Sequence, residues 1–188
     1  PVGQKTSRTG SAECQNCGAG KYGEGCQMCK AGQHRETSAK DPTACVKCSA
    51  GKHQRLEGQA SCLPCMPGKH QNMTGQSQCI SCTEGHFSTK VENMDDKCTA
   101  CSLGRYQHLE GQTMCVHCIP GKLSPLKGSA ACSDCFIHHY TDASGSSTCK
   151  LCQQGRYSDE EGLTSCKFCP QGKYGVVGLK QVVQCVNC

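Results

Sequence analysis

The chain has 188 residues, a formal net charge of +5 and 22 cysteines, while 24 residues are Leu, Ile, Val or Phe. That is about 13% of the chain, below the roughly 20% under which a sequence lacks a core of its own, so a conventional globular domain is excluded. Basic residues are scattered rather than run together, and no apolar run approaches the ~20 residues of a bilayer span. Nucleic-acid binding and a membrane span within this segment are therefore set aside.

Every cysteine falls in a Cys-x-x-Cys pair, starting at Cys14, Cys26, Cys45, Cys62, Cys79, Cys98, Cys115, Cys132, Cys149, Cys166 and Cys185. Most pairs start 17 residues apart, with three intervals of 19 and a first interval of 12. Residues 1–188 read as one continuous tandem array of about eleven repeats of 12–19 residues, a periodicity that decides the architecture before any single element is assigned. At about 12% Cys, cross-links replace a core in offsetting chain entropy of roughly 1–2 kcal/mol per residue.

At the N-terminus, Pro1–Cys14 aligns without gaps on Ile119–Cys132, Gly3 on Gly121, Gly10 on Gly128 and Ser11-Ala12 on Ser129-Ala130. The sequence ends on Cys188. Joining Cys188 to a following Pro1 restores a repeat in register, so Cys14 and Cys188 are expected to bond between units, along one longer chain or between subunits. Such a head-to-tail contact with self does not close, and it builds a fibre.

Within the array, the third residue after the second Cys of a pair is Gly in nine of ten complete repeats: Gly20, Gly32, Gly51, Gly68, Gly85, Gly104, Gly121, Gly155 and Gly172. Glycine there supplies a positive-φ turn or lets backbone pass close to a disulfide. A second Gly, at Gly58, Gly75, Gly111, Gly128, Gly145 and Gly162, lies four residues before the next Cys and turns the chain back. Each repeat thus reads as an irregular hairpin closed between the second Cys of one pair and the first of the next. The expected bonds are Cys17–Cys26, Cys29–Cys45, Cys48–Cys62, Cys65–Cys79, Cys82–Cys98, Cys101–Cys115, Cys118–Cys132, Cys135–Cys149, Cys152–Cys166 and Cys169–Cys185. The rival pattern, first to first and second to second Cys across neighbouring pairs, has the same composition and stays open, because connectivity does not follow from cysteine count.

Zinc is the alternative staple, since two Cys-x-x-Cys pairs about 13 residues apart lie near zinc-ribbon spacing. It consumes pairs of pairs, however, and eleven pairs standing in one relation to both neighbours show no alternation of ligand and spacer. His117 in "CVHC" is the one His inside a pair, and the eight His residues lack metal-ligand spacing. Disulfides are expected, with no metal and no cofactor.

Asn72-Met73-Thr74 is an N-glycosylation acceptor, consistent with secretion. The residue after the first Gly is mostly basic (Lys21, Lys52, Lys69, His86, Arg105, Lys122, Arg156, Lys173) and the next mostly a ring (Tyr22, His34, His53, His70, Phe87, Tyr106, Tyr157, Tyr174). The rings are read as packing over neighbouring disulfides, with ligand stacking as the alternative. The basic ladder is read as a solvated edge, with a track for anionic glycans as its alternative. Asp95-Asp96 and Asp159-Glu160-Glu161 read as solvated loop tips, and no catalytic constellation is visible. Phe136-Ile137-His138-His139-Tyr140, where His138 replaces the expected Gly, and the β-branched C-terminal stretch with Val176, Val177, Val182 and Val183 are candidate lateral or end-to-end interfaces.

The pattern C-x-x-C-x-x-G-x-[YFH]-x(4)-G-x-x-x-C, as in "CQQGRYSDEEGLTSCKFC" from Cys152 to Cys169, resembles the ephrin-receptor-like cysteine-rich repeat. It is also similar to the first module type of TNF-receptor cysteine-rich domains and to the C-terminal loop of EGF-like modules. The TNF-receptor resemblance implies pairing of the second Cys with the next first Cys. Such repeats imply an extracellular, disulfide-laddered, non-enzymatic protein. The expected fold is small and disulfide-rich, an elongated solenoid-like rod of tandem irregular β-hairpin repeats with little helix and no conventional hydrophobic core, each repeat touching only its neighbours. The expected function is the structural rod of an extracellular or cell-surface filament, appendage or matrix protein. A receptor ectodomain binding a protein ligand is the alternative, and a zinc-stapled intracellular scaffold a third.

Overall fold

The turn that opens each repeat is written in its residues. In Met66-Pro67-Gly68-Lys69 the Lys69 N–H donates to the Met66 carbonyl at 3.1 Å, and Gly68 has φ +84°. Proline in the second place and positive-φ glycine in the third are the requirements of a type II turn. Ile119-Pro120-Gly121-Lys122 repeats them, with a 3.1 Å bond and φ +86° at Gly121. The turn delivers a two-residue strand, Lys69–His70, onto the residues between the next pair of cysteines, Ile80–Ser81, in antiparallel register with Ile80 opposite His70 and Ser81 opposite Lys69.

This computed structural model describes residues 4–6, 14–38, 43–95, 97–177 and 183–187. Among them there is no helix, and the strands form two-stranded antiparallel hairpins. The register just given recurs from Lys21 opposite Met28 to Arg156 opposite Phe168. It also holds at the N-terminus, where Gln4 lies opposite Asn16 and Lys5 opposite Gln15, the places that Lys122–Asp134 and Leu123–Ser133 take in the aligned repeat. The last hairpin, Lys173–Val177 with Val183–Asn187, is longer, with five residue pairs.

Among the described residues ten disulfides close the hairpins that follow the N-terminal one, the second Cys of each pair bonded to the first of the next, from Cys17–Cys26 to Cys169–Cys185. The shortest Cα–Cα separation, 5.3 Å, is at Cys17–Cys26, within the range a disulfide spans without backbone movement. In the chain-entropy view, closing a loop of about 15 residues contributes about 3 kcal/mol.

The chain divides into two compact units, Pro1–Cys82 with Ser88–Cys98, and Thr83–Phe87 with Thr99–Cys188. Inside each unit the same backbone bonds join one repeat to the next. In the first, the N–H groups of Gly20, Gly32, Gly51 and Gly68 donate to the carbonyls of Arg35, Gln54, Gln71 and Ser88 at 2.6–2.8 Å. In the second, Gly85, Gly104, Gly121 and His138 donate to Gln107, Ser124, Thr141 and Ser158 at 2.7–3.2 Å. Return bonds run the other way, from Gly58 to Cys29 and from Gly128 to Cys101, each at 2.8 Å.

Contacts also reach two repeats along, beyond the nearest-neighbour expectation. A Cβ built on Gly32 would fall on the Gly75 carbonyl, and one on Gly104 on the Gly145 carbonyl, in each case two cystine loops further on. These glycines are therefore required twice, by φ +80° and +74° and by the absence of a side chain. Gly155 keeps the φ, at +83°, but a Cβ there meets nothing within 4 Å.

The buried layer contains almost no hydrocarbon. It consists mainly of the second cysteine of each pair, from Cys17 to Cys152, together with, from Cys29 on, one polar side chain six residues later: Arg35, Gln54, Gln71, Ser88, Gln107, Ser124, Thr141 and Ser158; Asn93 and Cys166 are buried as well. Buried polar groups demand partners, and these have them. Gln71 donates from Nε2 to the Gln78 carbonyl at 3.0 Å and accepts from the Met73 N–H at 3.2 Å, which ties both ends of its loop. Gln54 and Gln107 do the same with Ser61 and Leu56, and with Met114 and Leu109. Where the side chain is short, a second one completes the reach: Ser124 bonds Ser129 at 2.8 Å, and Thr141 bonds Ser146 at 2.6 Å.

Two measurements check these constraints. Gly104→Ala should lower the unfolding midpoint of the disulfide-intact protein, or its yield on oxidative refolding, far more than Gly155→Ala, which bears only the conformational cost of about 1 kcal/mol; equal losses would contradict the close approach. Gln71→Ala should destabilise by about 1–3 kcal/mol in denaturant unfolding, because it empties a buried site and removes both bonds that tie the loop.

Candidate functional site: ring-and-cation notches between successive repeats

The first strand of most hairpins carries a basic residue and then a ring. The ring of one repeat lies against the disulfide of the following one: His34 Nδ1 is 3.2 Å from Cys62 Sγ, and His53 Nδ1 is 3.2 Å from Cys79 Sγ. Both imidazoles are half-buried. Their neighbourhoods, His34 with Cys48 and Cys62 and His53 with Cys65 and Cys79, hold three potential ligand atoms within 4.8 Å. In each the two sulfurs are bonded to one another, so only an imidazole nitrogen is left to bind a metal.

The notches at these rings are equivalent along the chain. His34 shares one with Glu36, Lys52 and Cys62, and His53 one with Arg55, Lys69 and Cys79. Tyr140 shares one with Arg156 and Cys166, and Tyr157 one with Asp159, Lys173 and Cys185. In each, the cation comes from the strand of the following repeat, and the disulfide sulfur forms part of the wall.

Several cations of the basic ladder are already engaged. Lys52 pairs with Glu92 at 3.3 Å and Lys122 with Asp134 at 2.7 Å, while the Arg156 guanidinium sits 4.2 Å from the centre of the Phe168 ring. Elsewhere Lys150 bonds Asp142 at 2.8 Å, and Lys167 bonds Asp159 at 2.7 Å and Glu160 at 2.9 Å. The hydrogen bond from Lys150 holds the Asp142 carboxyl below its ordinary value, and Lys167 does the same for Asp159. Because the folded values are lowered, any stabilisation is present at neutral pH and lost as pH falls through them. Exposed pairs of this kind contribute little.

The candidate interface segment keeps the turn of its neighbours. His139 N–H donates to the Phe136 carbonyl at 3.0 Å, and His138 takes the glycine place with φ +67°, a conformation uncommon outside glycine. Phe136 and Ile137, at the turn, are 68% and 47% exposed. His138 Nδ1 is buried with no hydrogen-bond partner, and Tyr140 faces Lys150 with 5.8 Å between ring centre and Nζ. Val176 is half-buried. Cys188, Val182 and Asp96 lie outside the described residues, as do the side chains of Cys14, Val177 and Val183. Asn72 and Thr74 are exposed on the loop beyond the Lys69–His70 strand.

Sequence reasoning missed the buried polar column. Its signal was available, an uncharged hydrogen-bonding residue or Arg in the same place in eight successive repeats, directly beside the more conspicuous ring. Arg35, the one cation in that column, donates to the Lys21 carbonyl at 2.8 Å.

Among the described residues no helix is long and apolar enough to cross a membrane. No curated protein matches the chain. The family described as tyrosine-protein kinase ephrin type A/B receptor-like matches it twice, over residues 51–95 and 89–135. Ephrin-receptor-like cysteine-rich repeats are non-catalytic extracellular domains. Residues 51–135 thus resemble the ephrin-receptor-like family, and the repeats on either side are built on the same cystine ladder, so the chain is a tandem array of cysteine-rich repeats of which this stretch is ephrin-receptor-like.

Proposed function

We propose that the chain is a structural spacer of an extracellular or cell-surface protein, of the kind that builds filaments, appendages or matrix, with its length set by the number of repeats. The observation that carries this reading is the repetition of one set of inter-repeat bonds, glycine N–H to the carbonyl of the next buried polar residue, through both units. A stack made this way adds repeats without redesigning the contact, because stability is a sum of repeat and neighbour terms. Its cross-linked loops suit an exposed, oxidising setting.

A receptor ectodomain is the second reading. It is favoured by exposed apolar residues at one turn position of consecutive repeats, Ile119 at 61% and Phe136 at 68%, with Leu126 at 70% on the intervening loop. Apolar groups held out to solvent in this way suit a protein partner.

Deleting one 17-residue repeat separates the two. As a spacer, the protein should keep its remaining disulfides by peptide mapping and shorten by about 10 Å in solution scattering, the height of two strands. A deletion that abolishes capture of a protein ligand while leaving assembly intact favours the receptor.

Asn72 is proposed as an N-glycan acceptor, supported by its exposure in an outward loop. Enzymatic removal of N-glycans from native material should convert Asn72 to Asp in the Cys65–Cys79 peptide, and unmodified Asn72 there would end this assignment.

A further inference from the structure

Four notches lie at equivalent places in their repeats, and one of them brings together two cations without ion-pair partners among the described residues and has no acid on its walls. Seven residues after the second Cys stand Glu36, Asp142 and Asp159 in three of the repeats concerned, and Arg55 in the fourth; Glu36, Asp159 and Arg55 line their notches, whereas Asp142 does not line the one at Tyr140. In the His34 notch the facing cation, Lys52, is held by Glu92 at 3.3 Å. At Tyr140 the facing cation, Arg156, lies over Phe168, and Asp142 is taken by Lys150. At Tyr157 the acid is Asp159, bonded to Lys167.

The His53 notch has no carboxylate on its walls. Arg55, Lys69, His53, Ser77 and Gln78 line a cavity of about 280 Å³ beside Cys79. Neither Arg55 nor Lys69 makes an ion pair among the described residues. Both are exposed, while the floor is fixed, since His53 sits in a strand opposite Leu63 with its Nδ1 at the Cys79 sulfur. The site therefore offers two free cations, an imidazole and the polar groups of a serine and a glutamine around a space for one small polar group. A guanidinium fork beside an ammonium is the donor set that oxyanions select.

We infer that this notch binds an oxyanion carried on a sugar, the sulfate or carboxylate group of an acidic extracellular glycan. The cavity lies at the lower end of ligand-site sizes and accommodates one charged substituent, with the rest of the chain lying over the exposed basic edge. Arg55 and Lys69 hold the anion, His53 forms the wall, and Ser77 and Gln78 supply hydroxyl and amide donors. The inference rests on the extracellular setting and not on the spacer reading, so it survives if the protein is a receptor.

The test measures binding of the whole 188-residue chain to three immobilised polymers at about 0.15 M salt, where surface charges are screened beyond roughly 8 Å. These are a heparin oligosaccharide, polygalacturonate and poly-L-glutamate. Binding to heparin alone assigns sulfate, and binding to polygalacturonate assigns carboxylate. The double variant Arg55→Glu with Lys69→Glu should weaken the preferred glycan by about tenfold or more. Lys30→Glu with Lys127→Glu, the same change in net charge at exposed sites elsewhere, should alter it by less than about twofold. Peptide mapping of each variant shows that its disulfides are intact. Equal losses in the two double variants, equal affinity for poly-L-glutamate, or binding to neither glycan overturns the inference.

Discussion

The contact on which the arrangement depends is the approach of a glycine Cα to a carbonyl two repeats further along, as at Gly32 and Gly75 or Gly104 and Gly145. A side chain at that point would push the loops apart. Separating them would break the N–H bonds from the same glycines to the next repeat, 2.7 Å at Gly32 and 2.9 Å at Gly104. Since glycine also supplies the positive φ of the opening turn, one residue sets the local bend and the repeat-to-repeat distance together. The disulfides then act on a spacing already defined by backbone, and they limit the unfolded chain more than they shape the folded one.

With backbone carrying the contacts, the interior is left with sulfur and amide groups. A conventional core gains from burying apolar area, whereas here the second cysteines are 0–3% exposed from Cys17 to Cys152 and their buried companions are polar. Such companions are stabilising only when fully bonded. The choice between one long side chain and two that meet follows from that demand: Gln71 spans its loop alone, while Ser124 needs Ser129 and Ser88 needs Asn93 at 3.0 Å. Apolar side chains are displaced to the outside, which is why Leu56, Met73, Leu109 and Leu126 are 52–70% exposed.

Much of this was legible in the sequence because it is periodic. The hairpin class, the tandem cysteine-rich repeat and the resemblance of residues 51–135 to ephrin-receptor-like repeats were read from Cys-x-x-Cys and glycine places that recur while the intervening residues change. The reach of each repeat to its second neighbour was not legible. A contact between Gly32 and Gly75 leaves no mark except two glycines, each already explained by a local turn. The buried polar column was hidden for a related reason: Gln, Ser and Thr are ordinarily read as surface residues, and only the missing apolar core makes them interior. His138 shows the limit of the glycine rule from the other side. It adopts φ +67° in a glycine's place, so the turn can be kept at the expense of strain and of a buried nitrogen without a partner.

These constraints also determine where specificity can be written. The second cysteine, the turn glycine and the buried polar residue are fixed in every regular repeat by the stacking just described. The strand cation, the residue seven places after the cysteine and the outer turn positions face solvent and vary between repeats, from Glu36 to Arg55 to Asn72 to Asp142. A charge change at such a position leaves the backbone ladder untouched, because no bond of that ladder passes through its side chain. One scaffold therefore presents a series of notches at equivalent places and of unequal charge. What the protein recognises is set by the side chains between the cysteines, repeat by repeat, while the cysteines and glycines decide only that the notches are there.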